Sequence, residues 1–169
     1  MIHRLLAIDP GTTQSSYAMF DGHRNPPFPL KFGTMSNEAL LDILRFPQPE
    51  FVSDFMAIEM VACYGMPVGR EVFETAFWIG RFVQAYNNTY RLIYRNEEKI
   101  QMCHSCKAND STISQALRDI YGDKGTKKAP GLLYGIKGDE WQALSVGVTC
   151  FRLFEEEQCN GKPEVRSGT

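Results

Sequence analysis

Long hydrophobic runs are missing from this sequence, so we expect no membrane-crossing helix and no membrane partner. The N-terminal residues lack the basic and apolar segments of a signal peptide, which favours the cytoplasm. Cysteines are few and odd in number, five in all, and this predicts reduced thiols rather than a disulfide framework. The sequence also lacks an excess of basic over acidic residues. Because the net charge is −2, any binding of nucleic acid has to rest on local patches of charge.

What the sequence does contain is typical of one globular domain. Its 169 residues are enough to bury a core, and 43% of them are hydrophobic against 22% charged. Neither a repeat nor a linker is evident that would divide the chain. We therefore expect one folded domain over residues 1–154, followed by a polar, disordered tail over residues 155–169.

Apolar periodicity and turn signals predict alternating strands and helices. Strands are expected near residues 5–9, 14–20, 30–34, 51–58 and 91–94. Helices are expected after an N-cap at Ser36, over residues 72–83 and 97–102, after an N-cap at Asp110, and from Asp139 to about residue 153. The helix over residues 72–83 is apolar almost all round, which predicts that it is buried on every side.

Three carboxylates stand at the ends of apolar elements. Asp9 ends the first predicted strand, Glu59 ends the fourth, and Asp139 opens the last helix. The ends of parallel strands meet on one rim of a sheet, where such carboxylates repel one another unless a cation lies between them. Oxygen ligands of this kind suit Mg²⁺ or Mn²⁺, and paired ions of that type hydrolyse phosphodiesters. The pattern favours a metal-dependent nuclease, while the alternative that Asp9 merely begins a turn stays open.

Basic side chains gather in one part of the chain. Residues 91–128 hold eight lysines and arginines against five acidic residues, although the whole chain is negative. A solvated surface of mixed charge is the alternative to DNA binding. The loop over residues 62–69 adds Tyr64 and Met66, which are candidates to stack on or wedge between bases. The candidate phosphate contacts are Arg70, Lys107, Lys124, Lys127, Lys128 and Lys137.

Several stretches, taken in order, resemble one known family. Residues 7–11 (AIDPG) and 57–59 (AIE) resemble the first two acidic strands of RuvC-type Holliday junction resolvases, within the RNase H-like superfamily. Residues 64–82, 107–117 and 138–144 are similar to the smaller RuvC-like proteins of phages and prophages. The resemblance covers most of residues 4–150, and it lies in the order and spacing of the motifs rather than in any single motif.

The resemblance implies an α/β protein with an RNase H-like fold, in which helices flank a central mixed five-stranded sheet. It also implies a homodimer that resolves four-way junctions and other branched DNA by paired symmetric nicks, with Mg²⁺ as cofactor and Mn²⁺ able to substitute. A phage-encoded protein of this kind would act in the cytoplasm of its host.

By motif position, Asp9 and Glu59 match the first two metal ligands of the family, and Asp139 matches the first acidic or histidine position of the last helix. The family usually places a second acid three residues later, where this chain has the neutral Gln142. Glu140 and Asp110 are further candidate ligands, and Asp110 is equally suited to capping a helix.

Two other functions stay open. A junction-binding protein that no longer cleaves DNA would account for Gln142. Residues 9–13 (DPGTT) also resemble the phosphate-binding hairpin of actin-like kinases, but such kinases need two domains and a second phosphate loop, which this chain lacks. Cys103 and Cys106 have the spacing of a zinc ligand pair without a second pair to complete the site.

Overall fold

The computed structural model describes residues 1–63, 65, 67–160 and 166–167. Its centre is a mixed sheet with the strand order β3-β2-β1-β4-β5. The first three strands pair antiparallel, whereas β1, β4 and β5 run parallel. This five-stranded mixed sheet confirms the predicted fold class, and a two-residue strand, β6 (Arg166–Ser167), adds to the start of β5. The five main strands are β1 (Arg4–Asp9), β2 (Gln14–Asp21), β3 (Phe28–Ser36), β4 (Phe55–Met60) and β5 (Thr89–Tyr94).

Five α-helices flank the sheet. They are α1 (Asn37–Arg45), α2 (Arg70–Ala85), α3 (Arg95–Cys103), α4 (Asp110–Tyr121) and α5 (Glu140–Asn160), with a short 3₁₀ turn at Pro49–Phe51. Ser36 caps α1 as predicted, because its side chain accepts a hydrogen bond from the Ala39 amide.

The prediction that Asp110 caps α4 is wrong. Asn109 is the extended residue before the helix, and its side chain accepts a hydrogen bond from the Thr112 amide at 3.0 Å. Asp110 is therefore the first residue of α4, and its carboxylate is free for other contacts.

Each face of the sheet is covered by helices, and the residues of β1 alternate between the two faces. Leu5 and Ala7 pack in the core formed with α3, α4 and α5, whereas Leu6 and Ile8 pack in the core formed with α1 and α2. Burial on both faces explains why β1 is a continuous apolar run rather than an alternating one.

The prediction that α2 is buried on every side is wrong. Phe73 and Phe77 are 65% and 66% exposed, whereas Thr75, Ile79 and Phe82 are buried. The reason is that α2 lies in an outer layer, where, within the described ranges, its inner face alone packs against the core. The described part of the chain thus leaves an apolar face of α2 open.

The last helix is longer than expected. α5 ends at Asn160, so the predicted domain boundary after residue 154 falls inside it. Near the far end of α5, Glu157 forms a 2.7 Å ion pair with the buried Arg91 of β5. Among the described residues, no helix combines the length and hydrophobicity that crossing a bilayer requires.

Candidate active site

Strand register brings two of the predicted carboxylates together. Asp9 and Glu59 lie at the carboxyl ends of the neighbouring parallel strands β1 and β4, one position beyond the paired residues Ile8 and Ile58. Leu5, Ala7, Phe55 and Ala57 all belong to the core beneath α5. Since side chains alternate along a strand, Asp9 and Glu59 face the same side as these residues, toward α5.

The Asp9 and Glu59 carboxyl groups lie close enough for each to shift the pKa of the other. Burial raises the pKa of Asp9 far above its usual range, and the charges of Glu59, Asp139 and Glu98 raise it further. Burial also raises the pKa of Glu59, although the Arg95 guanidinium opposes that shift. Without a cation, the pair favours sharing a proton over carrying two negative charges.

Asp139 lies just before α5, and its position depends on the start of that helix. Its carbonyl oxygen accepts hydrogen bonds from the amides of Gln142 (2.9 Å) and Ala143 (3.1 Å). Its side chain is exposed, and its charge acts on Asp9. The structure therefore brings the three predicted carboxylates to one end of the sheet.

Glu98 is a fourth carboxylate at this site, and sequence reasoning missed it. It lies on α3 and is fully buried, with one oxygen accepting a 3.1 Å hydrogen bond from Arg95. The other oxygen, Oε1, has no hydrogen-bond partner within the described chain. Burial, and next the charge of Glu59, raise the pKa of Glu98. One signal was available: Glu98 is four residues before the buried Met102, so it occupies the inner face of α3.

Arg95 is the second residue that sequence reasoning missed as part of the site. It is the first residue of α3, directly after β5, and its guanidinium donates to Glu98, Asp110 and Gln142. The pKa of Arg95 is raised because the carboxylates of Glu98, Glu59 and Asp110 outweigh the effect of burial.

The remaining carboxylates have identifiable partners. Glu140, the first residue of α5, accepts a 3.0 Å hydrogen bond from the Lys137 amide and so stabilises the helix start. Asp110 forms an ion pair with Arg95, and its own side chain is 76% exposed.

The residues predicted to contact DNA differ in whether their side chains already bind other groups of the protein. Lys124 donates a 2.6 Å hydrogen bond to the Ile136 carbonyl and lies over the Trp141 ring, so its ammonium is engaged within the protein. Arg70 pairs with Glu74 at 2.5 Å on the exposed surface of α2. Tyr64 and Met66 lie outside the described residues. The exposed lysines of the predicted set are Lys107, Lys127, Lys128 and Lys137.

The donor chemistry suits a hard divalent cation. Asp9, Glu59 and Asp139 offer carboxylate oxygens, and the crowding of negative charge at Asp9 favours a cation there. In the ranges that the structure describes, no three His, Cys, Asp or Glu side chains are already gathered into a metal-binding cluster. The fit therefore rests on the Asp9–Glu59 pair, with Asp139 as the third donor.

The strand order and the mixed sheet define the RNase H-like class of fold. Within that class, the chain is similar to RuvC of Thermus thermophilus, with 15% sequence identity over 90% of this chain and 96% of that one, and a TM-score of 0.67. A structure of T. thermophilus RuvC in complex with a Holliday junction substrate gives 14% identity, 91% and 96% coverage, and the same TM-score. No protein-family model and no curated protein sequence matches the chain. At such low identity, the likeness establishes the fold.

Proposed function

We propose that this protein is a structure-selective endonuclease that resolves four-way DNA junctions by metal-dependent hydrolysis, with paired symmetric nicks. The observation that carries the proposal is the Asp9–Glu59 pair at the ends of two parallel strands, with Asp139 beside it. The substrate class is supported by the shared fold with T. thermophilus RuvC, whose structure contains a Holliday junction substrate.

In this proposal, Asp9, Glu59 and Asp139 would hold Mg²⁺, or Mn²⁺ in its place. A divalent cation bound there supplies an activated water and stabilises negative charge on the phosphate. Asp9 and Glu59 are half-buried, and the pairing of the two strands fixes their positions. Asp139 is exposed, so DNA could reach it from solvent. Four exposed lysines would contact phosphates of the junction arms: Lys107, Lys127, Lys128 and Lys137.

A symmetric junction requires two active sites, so the proposal includes a twofold homodimer. The open apolar face of α2 supports this, because Phe73 and Phe77 are large, adjacent and exposed. An exposed patch of that kind is typical of a protein interface. Phe77 also borders a groove with Phe46 of the α1 end, which enlarges the apolar surface.

The decisive experiment is cleavage of a labelled four-way junction with Mg²⁺ or Mn²⁺. We expect paired nicks at symmetric positions from the native chain, and at least about a 100-fold loss of rate with Asp9→Asn, which removes one ligand charge. Asp42→Asn is the matched control, because Asp42 is exposed on α1 and that helix covers the opposite face of the sheet. Cleavage that persists in Asp9→Asn would overturn the assignment of the site.

A second candidate function is junction binding without cleavage. It is favoured by Gln142, which replaces an acid with a neutral amide and is engaged by Arg95. Tight and selective binding of the junction, without nicks in either metal, would establish this function in place of the nuclease.

A further inference from the structure

We propose that Arg95 is a permanent cation of the active site, which takes the place of a second metal ion and leaves room for one divalent cation per chain. This inference rests on the proposed metal site at Asp9, Glu59 and Asp139, and it concerns the other half of the same carboxylate cluster.

The position of Arg95 is fixed by the start of α3. The Tyr94 amide donates a 2.6 Å hydrogen bond to Glu97, which forms part of a capping box at the first turn of α3. Arg95 follows β5 directly, so its guanidinium emerges beside the strand ends that carry Asp9 and Glu59. Its charge acts on Glu59, which lowers the cost of ionising that carboxylate.

Three side chains from three helices hold the guanidinium. One terminal nitrogen donates to Glu98 of α3 and to Gln142 of α5, and the other donates to Asp110 of α4. The Arg95 side chain is only 22% exposed, so these contacts are largely shielded from water. Arginine suits this role because its planar guanidinium stays charged and offers several donors in fixed directions.

Gln142 is the residue that most directly opposes a second metal ion. It is one helical turn beyond Asp139, where an acid would face the same metal site. A neutral amide is a weaker metal ligand, and here its oxygen is already occupied by Arg95. A divalent cation placed beside Gln142 would also meet the positive charge of Arg95, which repels it. The Gln142 amide and the Arg95 guanidinium therefore both disfavour a second divalent cation at this position.

The burial of Glu98 shows what the Arg95 contact does for this half of the site. It is fully buried, and its Oε1 atom has no partner within the described part of the chain. A buried carboxylate in that state is costly unless a positive charge faces it, and the guanidinium at 3.1 Å is that charge.

The arrangement leaves Arg95 able to act on DNA. Asp110, which occupies one edge of the guanidinium, is 76% exposed, so a phosphate oxygen entering from solvent can displace it. A guanidinium placed against the phosphate stabilises the charge that develops during hydrolysis. Arg95 would then supply, as a fixed side chain, the charge that a second metal supplies elsewhere.

The test is the number of Mn²⁺ ions bound per chain, measured without DNA by calorimetry and by the electron paramagnetic resonance of free Mn²⁺. We expect one ion for the native chain and for Arg95→Lys, and two ions for the double variant Arg95→Gln with Gln142→Asp. Arg24→Gln, an exposed arginine on the β2–β3 connection, is the matched control and should bind one ion. Circular dichroism of each variant checks that it is folded.

Two ions in the native chain, no ion, or a double variant that still binds one would overturn the proposal. This measurement is independent of cleavage, so a failure of the nuclease function would leave it interpretable. A second readout is junction cleavage at saturating Mn²⁺, where Arg95→Gln should be at least about 100-fold slower and Arg95→Lys should recover part of the rate. An unchanged rate in Arg95→Gln would contradict a role at the phosphate.

Discussion

The five cysteines differ in how deeply their thiols are buried, and therefore in how reactive they are. Cys63, Cys106 and Cys159 are exposed, Cys103 is half-buried, and Cys150 is fully buried on α5. Burial raises the pKa of the Cys150 thiol to about 12. Because the thiolate is the reactive form, a raised pKa leaves about one molecule in 10⁴ reactive at pH 8.

We therefore predict that Cys150 resists iodoacetamide at pH 8 in the folded protein and reacts only after unfolding in guanidinium. In the folded protein the exposed thiols of Cys63, Cys106 and Cys159 should be labelled while Cys150 stays protected. Mass spectrometry of the labelled peptides checks both statements. Labelling of native Cys150 as fast as that of Cys106 would contradict the buried position.

Residues of the site differ in how well the sequence predicts them. Asp9 and Glu59 are predictable because each ends an apolar strand, and strand ends are where a carboxylate reaches solvent or a cation. Arg95 and Glu98 are not, because a short helix with mixed charges looks like an exposed surface. Helical spacing from Met102 indicates the inner face of α3 for Glu98, but the place of both residues in the site comes from the packing of α3 against α4 and α5, which is not local in sequence.

The close approach of α5 to β2 requires a glycine at position 147. A Cβ at Gly147 would lie 2.2 Å from the ring of Phe20, which is fully buried and packs edge-on against Phe151. We predict that Gly147→Ala lowers the free energy of unfolding by about 1–3 kcal/mol, because the ring cannot move aside in a filled core. Urea unfolding at a fixed protein concentration measures the change.

The matched control lies on α2. At Gly80 a Cβ would meet no atom within 4 Å, so Gly80→Ala should raise stability by up to about 1 kcal/mol through the higher helix propensity of alanine. Equal effects of the two substitutions would contradict the close approach of α5 to β2.

The position of α2 in an outer layer explains why the prediction that it is buried on every side is wrong. The apolar residues of α2 repeat at helical spacing on more than one face, which is typical of a helix surrounded by protein. Among the residues that the structure describes, only the inner face of α2 has neighbours, so its outer apolar face is uncovered. Four of the five strands lie close to their predicted positions because their apolar runs end at turns, and turn chemistry is local. The fourth starts at Phe55 rather than near residue 51, because Pro49–Phe51 forms a 3₁₀ turn.

At the scale of the whole molecule, we predict that this face joins two copies. Phe73→Asp with Phe77→Asp should convert a dimer into a monomer in sedimentation velocity at micromolar concentration, because charges replace the apolar contact. Junction cleavage should change from paired nicks to isolated single nicks. Ile100→Asp, at a half-exposed apolar residue of α3, is the matched control. A native chain that sediments as a monomer, or a variant that stays dimeric, would contradict the interface.

The alternation that directs Asp9 and Glu59 toward α5 also constrains how the chain can change in length. One residue inserted between Leu5 and Asp9 would exchange the two faces of β1 and turn the carboxylate toward α2. An insertion in the connection after Asp21 would leave that register unchanged, because the strand pairing ends there. Changes of length in the loops therefore preserve the Asp9–Glu59 pair, whereas a single residue inserted into or deleted from β1 or β4 before its carboxylate separates the pair.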